Sequence, residues 1–530
     1  MHIALRMDDT LRRAALLYPD AEAVCEGERR WTYRQFQQEV HQLARAMMRM
    51  GVVKGDRVAV LSPNTAAMLQ LFYACFQLGA VVVPLNTRLL PHDYQYIVNH
   101  AEAKLFFVDE ELIPLVQPVL KTFASVFRFV QIPLESSGPA PEGWDSFPEL
   151  LAAESAETCV SEVEETDLAT LLYTSGTTGK PKGVMHSHRT LYFNMLNTMF
   201  HLRASDSDVL LHTLPMFHVN GWGTPFSFTG AGARHVMLRR IDPLLIHALM
   251  KREGVTVACM APTVLNMLIN EQRFHEDKLA GPMRVVIAGS APPTAFVRIV
   301  EKQLGWEFLQ VYGMTECAPL ITVSPIKHHL RGEDEEARYR RKAKAGIPML
   351  HVEVRVVDEA DNDVPADGKT IGEVIARGQM VMEGYWKQPE ATAAAIVNGW
   401  YRTGDMATVD EEGYIDIVDR KKDIIISGGE NISSIEVEGV LYEHPAILEA
   451  AVISVPHEKW GEVPFAVVVP RPGMQIDEEE LNRFCRQRMA GFKCPKGYQV
   501  VSELPKTASG KIRKVELREP FWQEREKKVQ

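Results

Sequence analysis

Tyr173-Thr-Ser-Gly-Thr-Thr-Gly-Lys-Pro-Lys-Gly183 is the stretch on which the reading of this chain turns. An apolar run, Leu168–Tyr173, leads into it and reads as a buried strand. Hydroxyl groups of Thr and Ser, with glycine N–H groups between them, suit the oxygens of a phosphate, and Lys182 adds a point charge. The spacing is not GxxxxGK[ST], so the nucleotide-triphosphatase fold built on that other loop is not implied.

On the N-terminal side, Val58–Leu61, Ala80–Pro84 and Lys104–Val108 read as buried strands, and Gln38–Met50 as a helix. Short apolar runs alternate with helical patterns through much of the first 420 residues. That rhythm predicts α/β layering with mostly parallel sheets. Leu71–Leu85 is the longest apolar stretch, but Gln77 and Gly79 interrupt it. It falls short of the roughly 20 residues that cross a bilayer. It is expected to be a buried helix running into the strand Ala80–Pro84.

Ser136–Pro141 reads as a surface connection, and the densely charged Arg331–Lys344 as a solvated helix or mobile loop. The texture changes after Asp419. Short strands (Ile424–Ile426, Ala451–Val455, Phe465–Val469) and helical patterns near Ser434–Tyr442 and Glu478–Met489 predict a small α+β domain. The expected division is a large domain over 1–419, a hinge at 420–422 and a small domain over 423–530.

Composition narrows the function. The chain has 530 residues, 46% hydrophobic, enough for about three or four structural units. A net charge of −11 argues against a nucleic-acid partner, which needs a basic footprint, although a local cleft can still be basic. The seven cysteines, at 25, 75, 159, 259, 317, 485 and 494, form no CxxC pair. They are read as small buried hydrophobes in a reducing compartment. The first residues, Met1–Asp9, lack the apolar region of a secretory leader. A soluble, cytoplasmic protein without membrane insertion is expected.

Seven further motifs follow in order. They are Leu214-Pro-Met-Phe-His-Val-Asn-Gly-Trp-Gly223, Ala288-Gly-Ser-Ala-Pro-Pro293, Val311-Tyr-Gly-Met-Thr-Glu-Cys317, Tyr401-Arg-Thr-Gly-Asp405, Ile417-Val-Asp-Arg-Lys-Lys-Asp423, Ser427-Gly-Gly-Glu-Asn431 and Pro505-Lys-Thr-Ala-Ser-Gly-Lys511. With the hydroxyl-rich loop they resemble the adenylate-forming superfamily over nearly the whole chain. That superfamily includes acyl- and aryl-CoA synthetases, luciferases and the adenylation domains of peptide synthetases. The resemblance implies an α/β fold: a large N-terminal domain of layered sheets and helices, and a small mobile α+β C-terminal domain.

It also implies roles. Thr174, Ser175, Gly176, Thr177, Thr178 and Lys182 hold the ATP phosphates. Tyr312 gives adenine a face to stack on, with Gly313 and Thr315 beside it, at the end of a strand where open parallel sheets bind ligands. Glu316 is placed to hold Mg²⁺, a hard cation that takes one or two carboxylates plus phosphate oxygens. Asp405 accepts hydrogen bonds from the ribose hydroxyls, and Arg420 is its companion. The backbone of Gly289, Ser290 and Ala291 lines the adenine and the acyl carboxylate. His218 contacts that carboxylate, and Trp222 stands at the acyl tunnel, with Gly289 and Gly313 also on the acyl side.

Lys511 carries the strongest catalytic expectation. A carboxylate attacking an α-phosphate joins two anions, and a positioned ammonium between them offsets the repulsion. The family then rotates its small domain about a hinge, which Lys422 matches. Gly428 and Gly429 come to line the tunnel for coenzyme A, where glycines permit close backbone approach. Thr174, His218, Glu316 and Lys511 are the expected catalytic set. ATP, Mg²⁺ and coenzyme A are the expected cofactor and co-substrates, with a carboxylic acid as the partner, and the resemblance to bacterial fatty acyl-CoA synthetases implies a homodimer. The wording at Phe217–Trp222 and Gly428–Ser434 looks most like fatty acyl-CoA synthetases, including medium- and long-chain forms, and a medium-chain fatty acid is the expected substrate. Short-chain, methylthio-alkanoic and aryl acids are the alternatives.

Overall fold

Leu168–Thr174 is a strand, and it pairs antiparallel with Lys182–Ser187 on the far side of the hydroxyl-rich loop, so that Thr174 faces Lys182. The computed structural model describes residues 3–134, 138–159, 161–174, 180–279, 281–289, 291–421, 423–428, 430–507 and 511–522. Ser136, Ser137, Ser175, Gly176, Thr177, Thr178, Ser290, Lys422 and Gly429 lie outside the described residues.

Next to Leu168–Thr174 run Val81–Pro84, Arg57–Leu61, Ala103–Asp109 and Arg128–Ile132, all parallel. With Asp145–Ser146 at one edge and Gly384–Tyr385 at the other they make an eight-stranded sheet. The apolar stretch from Leu71 is the helix Ala66–Leu78, buried from Met68 to Leu78. Thr65 caps its start by accepting from the Met68 N–H, and Gly79 ends it in the left-handed region at φ 68°. Phe72, Tyr73 and Phe76 meet Phe226 at centroid distances of 5.5, 6.1 and 5.3 Å. Each such buried ring contributes about 1.5–3 kcal/mol by leaving water. The helix expected from Gln38 begins earlier, at Tyr33, because Thr32 and Gln35 form a capping box.

A second sheet of nine strands follows the order 347–348, 320–323, 307–313, 284–287, 257–260, 209–211, 234–236, 22–26 and 29–32. Its six inner strands, from 307–313 to 22–26, are parallel. Residues 352–420 depart from the expected mostly parallel pattern. Val352–Val357, Gly372–Gly378, Ile396–Val397, Trp400–Val409 and Ile415–Arg420 form a wholly antiparallel five-stranded sheet. The turns explain it: Asp361, Asn398, Gly399 and Gly413 adopt positive φ, so tight reversals replace helical crossovers.

The charged segment is the helix Glu335–Ala343, and it is anchored rather than merely solvated. Tyr339 is buried, Arg341 reaches Glu333 at 2.7 Å, and Lys344 reaches Asp410 at 2.8 Å. Beyond Arg420, Ile425–Ser427, Glu430–Ile432, Ile447–His457, Gly461–Pro470 and Tyr498–Val500 form the last sheet. Helices Ser434–Tyr442, Glu478–Arg486 and Lys514–Trp522 accompany it. Ile425, Ile432, Val437, Val452 and Val468 share one of its two cores. All seven cysteines are buried and unpaired. Among the described residues no helix is long and apolar enough to cross a membrane.

Candidate active site

Strand ends from the two large sheets, together with the antiparallel sheet, supply the site. Glu307–Gly313 ends where a Cβ on Gly313 would sit 1.8 Å from the Pro319 carbonyl oxygen, so only glycine fits. One residue earlier, the Tyr312 hydroxyl donates to Asp405 Oδ2 at 2.8 Å. Asp405 faces Arg420 across the antiparallel sheet, with Arg420 Nε 3.7 Å from Asp405 Oδ1. Burial raises the Asp405 pKa, while Arg420, Tyr312 and Lys511 each pull it down.

Glu316 sits in the turn after that strand. Tyr385 Oη donates to Glu316 Oε1 at 2.9 Å, and the Lys182 ammonium lies 4.8 Å from the Tyr385 ring centroid. Burial raises the Glu316 pKa, and Lys182 and Arg420 are among the groups that oppose it. Lys182, Glu316, Arg420 and Asp405 therefore share one electrostatic neighbourhood. Thr315 is buried beside Glu316, and its carbonyl accepts from His186 Nε2 at 2.8 Å.

Lys511 reaches this neighbourhood from the small domain. Its N–H donates to Thr507 Oγ1 at 3.1 Å and its carbonyl accepts the Thr507 N–H at 2.7 Å, so both ends of its loop are held. The docking that brings it there is specific. Asp419 accepts from Ser434 N at 2.8 Å and from Ser434 Oγ at 2.6 Å. Asn266 Nδ2 donates to the Leu448 carbonyl at 2.9 Å, and Tyr442 packs edge-on against Phe296 at 5.6 Å. In this arrangement the Lys511 charge acts on Asp405 and on His218 alike. Lys182, Arg420 and Lys511 bring three positive charges beside Glu316 and Asp405, and local positive charge suits a polyanion although the whole chain is acidic.

His218 and Trp222 flank an unusual turn. Val219, Asn220, Gly221, Trp222 and Gly223 have φ of 47°, 52°, 59°, 59° and 75°. Left-handed backbone at Val219 and Trp222 costs about 1–2 kcal/mol per residue. The turn is held by Asn194 Nδ2, which donates to the Trp222 carbonyl at 3.2 Å, and by Thr224 Oγ1, which donates to the Gly221 carbonyl at 2.7 Å. Trp222 is buried in one cluster with Leu214, Val219, Cys259, Ala288, Leu309 and Val311. That places an apolar wall next to the ends of the strands 284–287 and 307–313.

Gly289 and Ala291 follow the strand Arg284–Ile287, and Gly289 has φ 100°. Gly428 lies on the small domain, where its N–H donates to the Trp460 carbonyl at 2.9 Å. A Cβ there would meet the Trp460 ring at 2.6 Å. The structure thus brings Lys182, Tyr312, Gly313, Thr315, Glu316, Asp405, Arg420, His218 and Lys511 into one neighbourhood, with Thr174 paired to Lys182, and it packs Gly428 under Trp460. Another acidic group, Glu22 and Glu253 beside Cys25, is engaged by Arg30 and Arg234 and offers a cation little.

Tyr385 and His100 were not anticipated from the sequence. The His100 ring nitrogen Nδ1 is 2.7 Å from Tyr173 Oη, at the end of the strand leading into the hydroxyl-rich stretch. Their only local signal is the aromatic pair Tyr385-Trp386 ahead of Pro389, which carries no chemistry by itself.

Burial also sets a pH response. It lowers the pKa of His186 and of His218 to about 4, and of His188 and of His212 to about 3. The unfolded chain protonates these rings near the ordinary value of about 6.5, while the folded chain keeps them neutral. Their contribution is therefore intact above that value and is lost as pH falls through it. Between pH 7.5 and 5.5 each costs about 1.4 kcal/mol of stability. Buried carboxylates such as Glu316 and Asp405 work in the opposite direction, so a difference isolates the effect. His212→Gln should lose about 1.4 kcal/mol less than the parent over that window, measured by denaturant melts at the two pH values. Equal losses would remove His212 from this account.

Known proteins resemble this chain over nearly its whole length. The family model described as AMP-binding enzyme matches residues 11–386, and that for the AMP-binding enzyme C-terminal domain matches 436–511. The chain is 40% identical over 526 residues to a long-chain-fatty-acid–CoA ligase of Thermus thermophilus, covering 98% of this chain and 96% of that one. It is 35% identical over 528 residues to the peroxisomal trans-cinnamate:CoA ligase of Petunia hybrida, covering 96% and 92%. Among solved structures, the anthranilate CoA ligase AuaEII in complex with anthranoyl-AMP matches with a TM-score of 0.90 at 27% identity, over 98% of both chains. The chain therefore belongs to the AMP-binding enzyme family and is an AMP-forming acid–CoA ligase, using ATP and coenzyme A.

Proposed function

We propose that the acid is a medium-chain fatty acid, activated in two steps. In the first, its carboxylate attacks the α-phosphate of ATP, forming an acyl-adenylate and releasing pyrophosphate. In the second, the thiol of coenzyme A attacks the acyl carbon and AMP leaves. The observation that carries the residue roles is the reach of Lys511 across the domain junction, where its charge acts on both Asp405 and His218. That location lies between a ribose-holding carboxylate and a group beside the acyl carboxylate, where an ammonium offsets the charge that builds as the two anions join. Thr174 and Lys182 hold the outer phosphates, and Tyr312, Asp405 and Arg420 hold the nucleoside.

The residues present fit Mg²⁺. Glu316 is a carboxylate whose burial disfavours its charge, placed near Lys182, in the setting where a hard cation shares a carboxylate with phosphate oxygens. Bound there, the ion would neutralise charge on the departing pyrophosphate. Between the steps, the small domain turns about 420–422, withdrawing Lys511 and bringing Gly428 toward the pantetheine arm.

The apolar wall around Trp222 supports an acid with a hydrocarbon tail. Each methylene buried there contributes about 0.8 kcal/mol, so chain length is selected steeply. Pyrophosphate release across a panel of acids, with and without coenzyme A, tests this. Medium-length saturated acids are expected to give the highest kcat/KM. A maximum at butyrate or at an aryl acid would overturn the chain-length reading.

A further inference from the structure

We infer that Tyr385 is a positioning residue for adenylate formation, fixing the Glu316 carboxylate relative to the Lys182 ammonium. The inference rests on the reading of Glu316 as the Mg²⁺ ligand and deepens it. The two charged groups come from separate parts of the chain, Lys182 on the strand returning from the phosphate loop and Glu316 on a turn more than a hundred residues later. A strap at 382–386 spans them. Met382 N–H donates to the Glu316 carbonyl at 2.8 Å, while Glu383 and Trp386 N–H donate to the carbonyls of Met185 and Gly183 at 2.9 and 2.7 Å. Gly384 and Tyr385 pair with Met185 and Val184 as a short strand between those bonds.

The strap is itself held rigidly. Glu383 Oε1 accepts from Ser187 Oγ at 2.7 Å and from Thr190 Oγ1 at 3.1 Å. Tyr385 N–H donates to Thr392 Oγ1 at 2.8 Å, and Trp386 Nε1 donates to the His100 carbonyl at 3.1 Å. Tyr385 is 7% exposed. Its hydroxyl donates to Glu316 Oε1 at 2.9 Å, and its ring face carries the Lys182 ammonium at 4.8 Å. One side chain thus fixes an oxygen of the carboxylate by a charge-assisted hydrogen bond and the cation by its π-face. With Oε1 held by the phenol, the orientation of the whole carboxylate is fixed, and that carboxylate would hold the metal. A ligating carboxylate whose outer hydrogen bond is lost typically binds its metal about 10–100-fold more weakly.

Tyr385→Phe removes the hydroxyl and keeps the ring, and the strap's backbone bonds do not depend on the side chain. Calorimetric titration without acid, and so without turnover, reads the effect. Mg²⁺·ATP should bind about 10–100-fold more weakly, while AMP in the absence of metal should bind as it does to the parent. In a Glu316→Gln background, Tyr385→Phe should add little further loss of Mg²⁺·ATP affinity. Equal weakening of AMP and Mg²⁺·ATP, or full additivity of the two substitutions, would overturn the inference. If Tyr385→Phe melts far below the parent, Tyr401→Phe serves instead, because Tyr401 shares a buried cluster with Tyr385 and its hydroxyl lies in the same electrostatic neighbourhood as Tyr385 and Glu316. It should weaken Mg²⁺·ATP binding in the same direction, and an unchanged affinity counts against the inference. Glu316→Gln alone separates the levels. If it leaves metal dependence intact, the Mg²⁺ assignment falls. If it abolishes metal dependence while Tyr385→Phe changes nothing, only the role of Tyr385 falls.

Discussion

Lys511→Ala should lower acid-dependent exchange of pyrophosphate into ATP by about 10²–10³ or more, the scale for removing a preorganised charge stabiliser from a transition state. The same variant should pass the acyl group from supplied acyl-adenylate to coenzyme A at close to the parent rate. The asymmetry follows from geometry. In the docked orientation Lys511 is tied by its backbone to Thr507, and its charge reaches Asp405 and His218. In the proposed mechanism the attacking carboxylate and the α-phosphate meet in that space. Thiol attack on the finished adenylate brings no such pair of anions together, so the ammonium has less to offset there. Lys511→Arg should recover little, since the planar guanidinium is longer and forked where a compact charge is required. If exchange and transfer fall by the same factor, Lys511 is not a first-step residue and the division of labour proposed here is wrong.

Asp405→Ala is expected to damage both half-reactions, in contrast to Lys511. The nucleoside is present throughout, as ATP, as the adenylate and as AMP. Hydrogen bonds to a charged acceptor contribute about 1.5–3 kcal/mol each, and water recovers part of that. A net loss of about 2–4 kcal/mol corresponds to about 30- to 1,000-fold in AMP affinity. Titration of AMP into the variant measures it directly. Stability should fall less. Arg420 is 44% exposed on its side chain and can turn to water, whereas the Tyr312 hydroxyl loses its acceptor. Unchanged AMP binding would show that the Tyr312–Asp405–Arg420 group is an ordinary ion-pair network and not a ribose site.

How much of this was legible in the residues can be traced element by element. The strand into the hydroxyl-rich stretch was, because a mostly apolar run ending in hydroxyls and glycines has few other readings. So was the helix Ser434–Tyr442, whose bounds agree. The start of the helix at Tyr33 was written in Thr32 and Gln35 but is a signal of two residues, easily passed over beside the stronger pattern after Gln38. The antiparallel sheet of 352–420 was not foreseen, because strand periodicity does not report direction and only its reversing turns do. The left-handed run through Val219 and Trp222 was out of reach, since a β-branched residue and a bulky aromatic both argue against positive φ. It exists because Asn194 and Thr224 hold it from outside. Tyr385 shows the same limit at the site. Its role depends on Glu316 and Lys182, 69 residues away in the first case, and nothing in the local pattern names either partner. The approach of Lys511 to Asp405 was expected only from the order of motifs, because no rule of spacing joins two domains.

A crystal structure with ATP, or with a non-hydrolysable acyl-adenylate analogue, puts the whole arrangement at risk in one measurement. The account places the Lys511 ammonium within hydrogen-bonding distance of an α-phosphate oxygen, about 2.7–3.2 Å, with Asp405 on the ribose hydroxyls. In the ATP complex, Thr174 and Lys182 contact the outer phosphates. A nucleotide bound elsewhere, or one seated here with Lys182 and Lys511 both remote from its phosphates, contradicts it.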